Sequence, residues 1–297
     1  MLLTIITASY NRDYCLGNIY ESIINNKFNE ELEWILVDDG SEDSTSELAE
    51  KWLLEARINF RYYKITNGGK TRAVHFGFSQ NPKGEYTFVL DSDDYLSANA
   101  IETIKNNIFN LTPKHLGLIG LKSDTKGKII GKKFTIDEAS YIDIYFGKNA
   151  ISGDKLFIIK TEVYKSCIVL PFSNEKFMPD NLPYIQANNI GNYKLINEIL
   201  YLGDYLEDGM TSNIYKTAIK NINGYIYEKK MLQSKKLLFK YNIINNIKYI
   251  HYSILAKKTF KEMYSYSNNK FYTFLLYIPT FIVFYRLRLK YPTLSNG

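Results

Sequence analysis

A mostly parallel β-sheet flanked by helices on both faces is the architecture that the first hundred residues predict, with a helical extension towards the C-terminus. Three observations carry this. Short, continuous apolar runs recur at residues 2–8, 33–37 and 86–90, each too short for a helix and rich in β-branched or aromatic residues. Helix-like stretches separate them, the alternation that builds a parallel sheet covered on both sides. From residue 213 onward Ile, Leu, Tyr and Lys follow one another with almost no Gly or Pro until Pro279, which reads as helix.

The elements follow in order. Residues 2–8 (LLTIITA) predict the first strand, ending in the polar stretch SYNR. Residues 15–26 predict a helix with Leu16, Ile19, Ile23 and Ile24 on one stripe. The second strand, 33–37 (EWILV), stops at Asp38-Asp39-Gly40-Ser41. Ser44-Thr45-Ser46-Glu47 has the spacing of a capping box, opening a helix that carries Leu48, Trp52 and Leu53. A third strand at 59–65 leads to the turn Asn67-Gly68-Gly69, then a helix over 70–80 and the turn Asn81-Pro82-Lys83-Gly84. The fourth strand, 86–90, runs into Asp91-Ser92-Asp93-Asp94. Past residue 110 the pattern loosens. Strands are expected at 116–121 and 128–134 around Thr125-Lys126-Gly127, at 156–159 and within 193–205. Helices are expected over 136–146 and over 179–189, the latter opening with Pro179 in its first turn. Mixed or antiparallel sheet is expected here.

Composition narrows the function classes. At 45% hydrophobic and 23% charged residues, the 297-residue chain is neither disordered nor fibrous. Two cysteines, Cys15 and Cys167, exclude a disulfide scaffold and a Cys-rich zinc site. His75, His115 and His251 are too scattered in sequence to read as a His-based metal cluster. The start, MLLTIITASYNRDY, lacks the basic segment and cleavage site of a secretory signal, so a protein that stays inside the cell is expected. The net charge of +6 is unevenly spread. Residues 216–297 hold 15 Lys and Arg against two acids, a net +13, whereas residues 1–215 carry 22 basic and 29 acidic residues, a net −7. Two charge regimes predict two surfaces with different partners.

In open parallel sheets ligands bind beyond the carboxyl ends of the strands. SYNR, DDGS and DSDD all follow strands and would share one rim. Asp91 and Asp93, at i and i+2 of an extended segment, would point the same way and suit Mg²⁺ or Mn²⁺, hard ions that take oxygen ligands. The alternative is a solvated acidic turn capping the next helix. A carboxylate in Asp38-Asp39 could accept from a base N–H or a ribose hydroxyl, or could cap a helix. In Asn67-Gly68-Gly69-Lys70 a bare backbone would let a ligand approach beside a cation, although such a turn is also an ordinary loop.

Taken in order, TIITASYNR, ILVDDGSEDST, NGGKTRAVHFG and GEYTFVLDSDD resemble the family 2 glycosyltransferases of GT-A fold, strongly over residues 1–110 and more weakly over 150–215. The resemblance implies a nucleotide-sugar donor, a divalent metal (Mn²⁺ or Mg²⁺) and inversion at the anomeric carbon. It places Ala8 and Tyr10 against the nucleobase and Asp39 on the base. Asp91 falls near the ribose and the metal, Asp93 on the metal, and Ser92 in the donor segment between them. Lys70 falls where a basic contact to the nucleotide is supplied, with Arg72 the alternative. His75 stands where family members usually carry Asn, and as a lone His on a helix it reads as a packing residue. The family's catalytic base lies near a helix start in the second half. Asp180 resembles that position, with Pro179 departing from the pattern and Glu175 the substitute; the competing reading of Asp180 is helix-dipole stabilisation. Segments around Ser152-Gly153-Asp154-Lys155 and from Gly203 to Asn213 resemble enzymes of bacterial capsule or lipopolysaccharide synthesis, with Lys155 or Tyr205 as further contacts to the diphosphate or acceptor.

The resemblance divides the chain into a catalytic unit over 1–213, with a nucleotide half (1–110) and an acceptor half (111–213), and a basic helical extension over 214–297. Residues 274–285 (FLLYIPTFIVFY) are apolar, but a spanning helix needs about 20 such residues, and Pro279 interrupts this one. Lys229, Lys230, Lys235, Lys236, Lys257, Lys258 and Lys261 precede it, and Arg286, Arg288 and Lys290 follow. Aromatics mixed with cations predict an anchor on an anionic membrane surface rather than a nucleic-acid site; the alternative is a helix packed on the catalytic core. The expected protein is thus a hexosyltransferase at the cytoplasmic face of the membrane, passing sugar from a UDP-linked donor to a glycan or polyprenyl-linked acceptor. Its rivals are an inactive membrane-binding scaffold of the same fold and a metal-dependent nucleotidyltransferase, which lacks here the Gly-rich basic loop after the first strand. A dinucleotide oxidoreductase is excluded by the absence of G-x-G-x-x-G.

Overall fold

The computed structural model describes residues 1–204 and 214–290. Strands β1 (Leu3–Ser9), β2 (Leu32–Asp38) and β3 (Asn59–Lys64) and strand β4 (Tyr86–Val89) form a parallel group in the order β3-β2-β1-β4, with Ile6 opposite both Ile35 and Val89. Every residue of β2 is buried, as a strand covered on both faces must be. Because side chains alternate along a strand, the sheet sorts its apolar residues into two cores. Leu3, Ile5, Trp34 and Leu36 face one side, packed with Leu16, Ile19 and Ile23 of α1 (Asp13–Ile24) and Trp52 of α2 (Thr45–Glu55). Ile6, Ile35 and Val37 face the other, packed with Ala73, Val74 and Phe78 of α3 (Lys70–Ser79).

The second half extends the same sheet. Strand β5 (Tyr95–Leu96) and α4 (Ala100–Ile108) lead to β6 (His115–Ser123), β7 (Glu138–Ala139), α5 (Tyr141–Phe146), β8 (Lys155–Lys160), α6 (Thr161–Ser166), α7 (Leu182–Ala187) and β9 (Asn192–Leu202). Beyond β4 the order continues β8-β6-β9-β5, with β7 on β9. Strand β8 is antiparallel to both β4 and β6, while β6 and β9 are parallel, so the expected mixed sheet is present. The reversal matters: the first residues of β8, Lys155-Leu156-Phe157, come to the same rim as the carboxyl ends of β1, β4, β6 and β9.

The helix expected over 136–146 is confined to α5, because Glu138–Ala139 pair with β9 as β7, and three further local expectations are corrected. Residues 128–134 form no strand; Ile129 makes a single bridge to Ser123, and Gly131, at φ +85°, turns the chain out of the extended path. Ser44 does not cap α2 with its side chain. Asp43 takes that place, accepting from Thr45 N and Thr45 Oγ1 at 3.1 and 2.6 Å and, through its other oxygen, from Asp13 N at 2.9 Å, so one carboxylate ties the starts of two helices. The helix expected over 179–189 is shorter: the proline in its first turn is Pro183, and Pro179 lies in the preceding loop.

The C-terminal part is helical, as expected: α8 (Ile214–Lys220), α9 (Ile222–Gln233), α10 (Phe239–Leu255), α11 (Phe260–Tyr266) and α12 (Lys270–Lys290). Ile226, Tyr249, Ile250 and Met263 form a small core there, against which Leu276 and Tyr277 of α12 pack. Among the described residues no helix is long and apolar enough to cross a membrane. The boundary expected at residue 213 and the contact expected of Tyr205 lie outside the described residues.

Candidate active site

A cleft of about 550 Å³ runs along the shared rim. Ala8 at the end of β1, the four residues Asp91 to Asp94 beyond β4, Lys70 at the start of α3 and Asp180 before α7 all line it, and Tyr145, Tyr184 and Tyr225 give its far wall an aromatic character. The acidic segment is not extended. Asp94 N donates to Asp91 O at 3.1 Å, closing a turn that gathers Asp91, Asp93 and Asp94 so that one oxygen of each lies within 4.8 Å of the others. The convergence predicted from i, i+2 spacing is therefore real, but a turn produces it and a third carboxylate joins. Three hard oxygen donors at that spacing fit a divalent cation. Electrostatics agree. Burial, and then the charge of Asp91, push the Asp93 carboxyl above its ordinary range, a repulsion that a cation would relieve.

Lys70 joins this acid group to Asp180. Its Nζ lies 2.8 Å from Asp91 Oδ1 and 2.7 Å from Asp180 Oδ2. The turn that delivers it is held by Asp39, whose two carboxylate oxygens accept from Gly68 N and Gly69 N, each at 2.8 Å. Gly69 has φ +93°, and a Cβ there would stand 2.0 Å from Lys176 O, so only glycine fits between the α3 start and the loop carrying Asp180. Water reaches about half of the Asp180 side chain (52%), yet the cleft walls crowd it. That desolvation raises its pKa against the pull of Lys70, with Asp91 adding to the rise. Asp91 is lowered: burial raises it, but the charge and hydrogen bond of Lys70 together with the charge of Lys122 prevail.

The other predicted residues divide. Ser92 lines the cleft with its neighbours. Tyr10 is exposed at the end of β1 and does not line the cleft, and Asp39 sits buried behind the Asn67-Gly68-Gly69 turn. Arg72 is turned away: it donates to Gly68 O and Glu175 O at 2.8 Å and to Phe172 O at 3.3 Å. Glu175, the substitute base, is buried and occupied, accepting from Asn223 N and Gly224 N. Lys155 reaches the rim, but its ammonium faces the carbonyls of Ile130, Ser152, Gly153 and Asp154 at 3.1–3.4 Å and so fastens that loop. His75 is half-buried on α3 and does not line the cleft.

Sequence reasoning missed Lys122 and Asp94. Lys122 Nζ lies 2.8 and 3.0 Å from the two oxygens of Asp94, both residues buried, at the floor of the cleft. Burial pushes the Asp94 carboxyl up to about 7 against the pull of Lys122. A signal existed: Lys122 is a lone cation near the end of the otherwise apolar run HLGLIGLKS, and buried lysines need partners.

Comparison with known proteins agrees with this geometry. Residues 4–115 match glycosyl transferase family 2. The chain is 25% identical over 231 residues to glycosyltransferase GlyG of Streptococcus pneumoniae serotype 4, covering 73% of each. It is 34% identical over 106 residues to the minor teichoic acid biosynthesis protein GgaA of Bacillus subtilis (strain 168), covering 35% of this chain and only 24% of that one. Among solved structures, TarS 1–349 of S. aureus in complex with UDP-GlcNAc superposes with a TM-score of 0.64 at 17% identity, over 94% of this chain and 79% of that one. Residues 4–115 thus match the family 2 glycosyltransferases, the chain has a GT-A fold, and the protein is a glycosyltransferase.

Proposed function

We propose that the protein is an inverting enzyme that transfers a sugar from a UDP-linked donor to a glycan or polyprenyl-linked acceptor in bacterial surface polysaccharide synthesis. The observation that carries this is one cleft in which the Asp91–Asp93–Asp94 group and the separate carboxylate Asp180 are joined by Lys70. Ala8 would border the nucleobase, with Asp39 behind the turn and Tyr10 outside the cleft, and Ser92 would lie along the donor. Asp91 and Asp93, with Asp94 beside them, would hold Mn²⁺ or Mg²⁺, which supplies positive charge to the departing nucleoside diphosphate. Lys70, which now contacts Asp91 and Asp180, would turn towards the same diphosphate and release Asp180. Asp180 then takes the acceptor hydroxyl proton on a carboxylate oxygen as that hydroxyl attacks the anomeric carbon. Single displacement fits Asp180 as the base: of the other carboxylates that line the cleft outside the acid group, Asp154 and Asp204, the latter is held by Thr125 N and Thr125 Oγ1 at 3.2 and 2.6 Å. The test is hydrolysis of a UDP-sugar panel with Mn²⁺. Turnover by the wild type and its loss in Asp93→Ala are expected; a silent wild type would favour an inactive scaffold, and turnover at equal rates would remove the metal-holding role of Asp93.

The donor is cytoplasmic by this reading, and α12 fits the inner face of the membrane. Phe271, Phe274, Leu275, Ile278 and Ile282 recur at helical spacing and are 69, 69, 53, 66 and 45% exposed. Phe260 of α11 packs on Phe274 and Tyr277, which brings Lys257, Lys258 and Lys261 alongside that stripe. An apolar stripe flanked by cations suits a helix lying in an anionic bilayer surface, each basic residue adding about 1 kcal/mol. The side chains of Arg288 and Lys290 lie outside the described residues. Binding to phosphatidylglycerol-containing vesicles is expected, with little on phosphatidylcholine alone. The double variant Phe274→Asp, Ile278→Asp should abolish it; wild-type protein that ignores anionic vesicles would end this reading.

A further inference from the structure

We infer that the C-terminal helices complete the active site, α9 acting as a clamp that sets the position of Asp180. The inference rests on the assignment of Asp180 as the base and concerns what holds it there. Residues 172–181 form neither helix nor strand, and their internal backbone bonds among those described amount to Glu175 N to Phe172 O at 2.9 Å. Their place is therefore dictated from outside. On one side α3 holds them: Met178 N donates to Thr71 Oγ1 at 3.0 Å, beside the Arg72 bonds to Phe172 and Glu175.

On the other side the loop and α9 cap each other. Asn221 stands at the N-cap of α9 but does not cap its own helix. Its Oδ1 instead accepts from Lys176 N and Phe177 N, both at 3.0 Å. In return Glu175 supplies the missing cap, one oxygen accepting from Asn223 N at 2.7 Å and the other from Gly224 N at 2.9 Å. A Cβ at Gly224 would lie 2.9 Å from Met178 Sδ and 3.2 Å from Phe177 O, a measure of how closely the helix seats. Directly after the base, Asn181 Nδ2 donates to the buried Glu228 Oε1 of α9 at 2.8 Å. Asp180 thus lies between two fixings, both to α9. Asn221 and Glu228 are positioning residues, and removing the extension removes the clamp as well as any membrane surface.

Two substitutions separate positioning from simple support. Asn221→Leu deletes the acceptor that Lys176 and Phe177 use. Asn221→Asp keeps an acceptor for both amides, while it adds a negative charge near Glu175 and replaces the Nδ2 bond to Thr217 O with an oxygen facing that carbonyl. In Asn221→Leu, amide exchange at Lys176 and Phe177 should quicken about tenfold. Mn²⁺-dependent UDP-sugar hydrolysis should lose about 10- to 100-fold in kcat, the scale of a base misplaced by about 1 Å, with UDP affinity unchanged. Asn221→Asp should restore both. Wild-type kcat in Asn221→Leu, a parallel loss of UDP affinity, or an Asn221→Asp variant as slow as the leucine variant would overturn the clamp. If Asp180→Asn hydrolyses at the wild-type rate, the base assignment fails. The exchange measurement still judges the clamp, since unchanged protection at Lys176 and Phe177 would refute it.

Discussion

Asp180→Asn lowers turnover about 10²- to 10⁴-fold, the range that a positioned general base contributes. UDP affinity in Mn²⁺ stays within a few-fold of wild type, because the acid group and Lys70 are intact. The substitution is nearly isosteric, and an amide oxygen can still accept from Lys70, so the loop should keep its place while losing the ability to take a proton. The pH dependence gives a second reading. The Asp180 carboxyl is raised above its ordinary value by crowding in the cleft and then by Asp91, with Lys70 opposing. A base works when deprotonated, so wild-type kcat/KM climbs as pH rises through that raised value and levels above it. Asp180→Asn has no such group, and its residual rate should lack that limb. A variant retaining both rate and limb would move the base to another residue, and Glu175, occupied by the N-terminus of α9, would not be a candidate.

The rim was legible because its logic is local. Apolar runs of strand length that stop at DDGS and DSDD announce both the sheet and the rim along which the cleft opens, and β2, buried throughout, is the strand that EWILV predicts. What decides the chemistry at that rim is mostly non-local. Lys122 meets Asp94 only because β9 brings Tyr201 and Leu202 between β6 and β5, beside the turn after β4. Glu175 looks like a spare base in sequence; 48 residues later Asn223 claims its carboxylate. Pro179 looks like a helix start, but Thr71 and Asn221 pull the chain around it into a held loop. Local pattern also misjudged the cap of α2, where Asp43 offers a stronger acceptor than the hydroxyl of Ser44 and reaches a second helix with its other oxygen. Side-chain periodicity tells which face a residue occupies; which partner waits there depends on crossovers that periodicity does not record.

Lys70→Met is expected to separate the two tasks of the ammonium. In the free protein Lys70 stands between Asp91 and Asp180, within 2.8 Å of each. It is the main influence holding the Asp180 carboxyl down, and both carboxylates in turn raise the lysine, so it stays charged throughout the working range. Without it Asp180 keeps the crowding and the repulsion of Asp91 but loses its cation, so its pKa rises further. The rising limb of kcat/KM, which reports the free enzyme, should then move to higher pH than in wild type. Donor binding suffers separately. A charge-assisted hydrogen bond to the diphosphate is worth about 1.5–3 kcal/mol, so KM for the donor should rise roughly 10- to 150-fold. Lys70→Arg, which keeps the charge, should return the limb towards its wild-type position even where its bulk leaves KM high. The informative outcome is a split: weaker donor binding with an unmoved limb would mean that Lys70 serves the diphosphate alone and that its contact with Asp180 does not tune the base, whereas a displaced limb ties donor binding and base release to the same side chain.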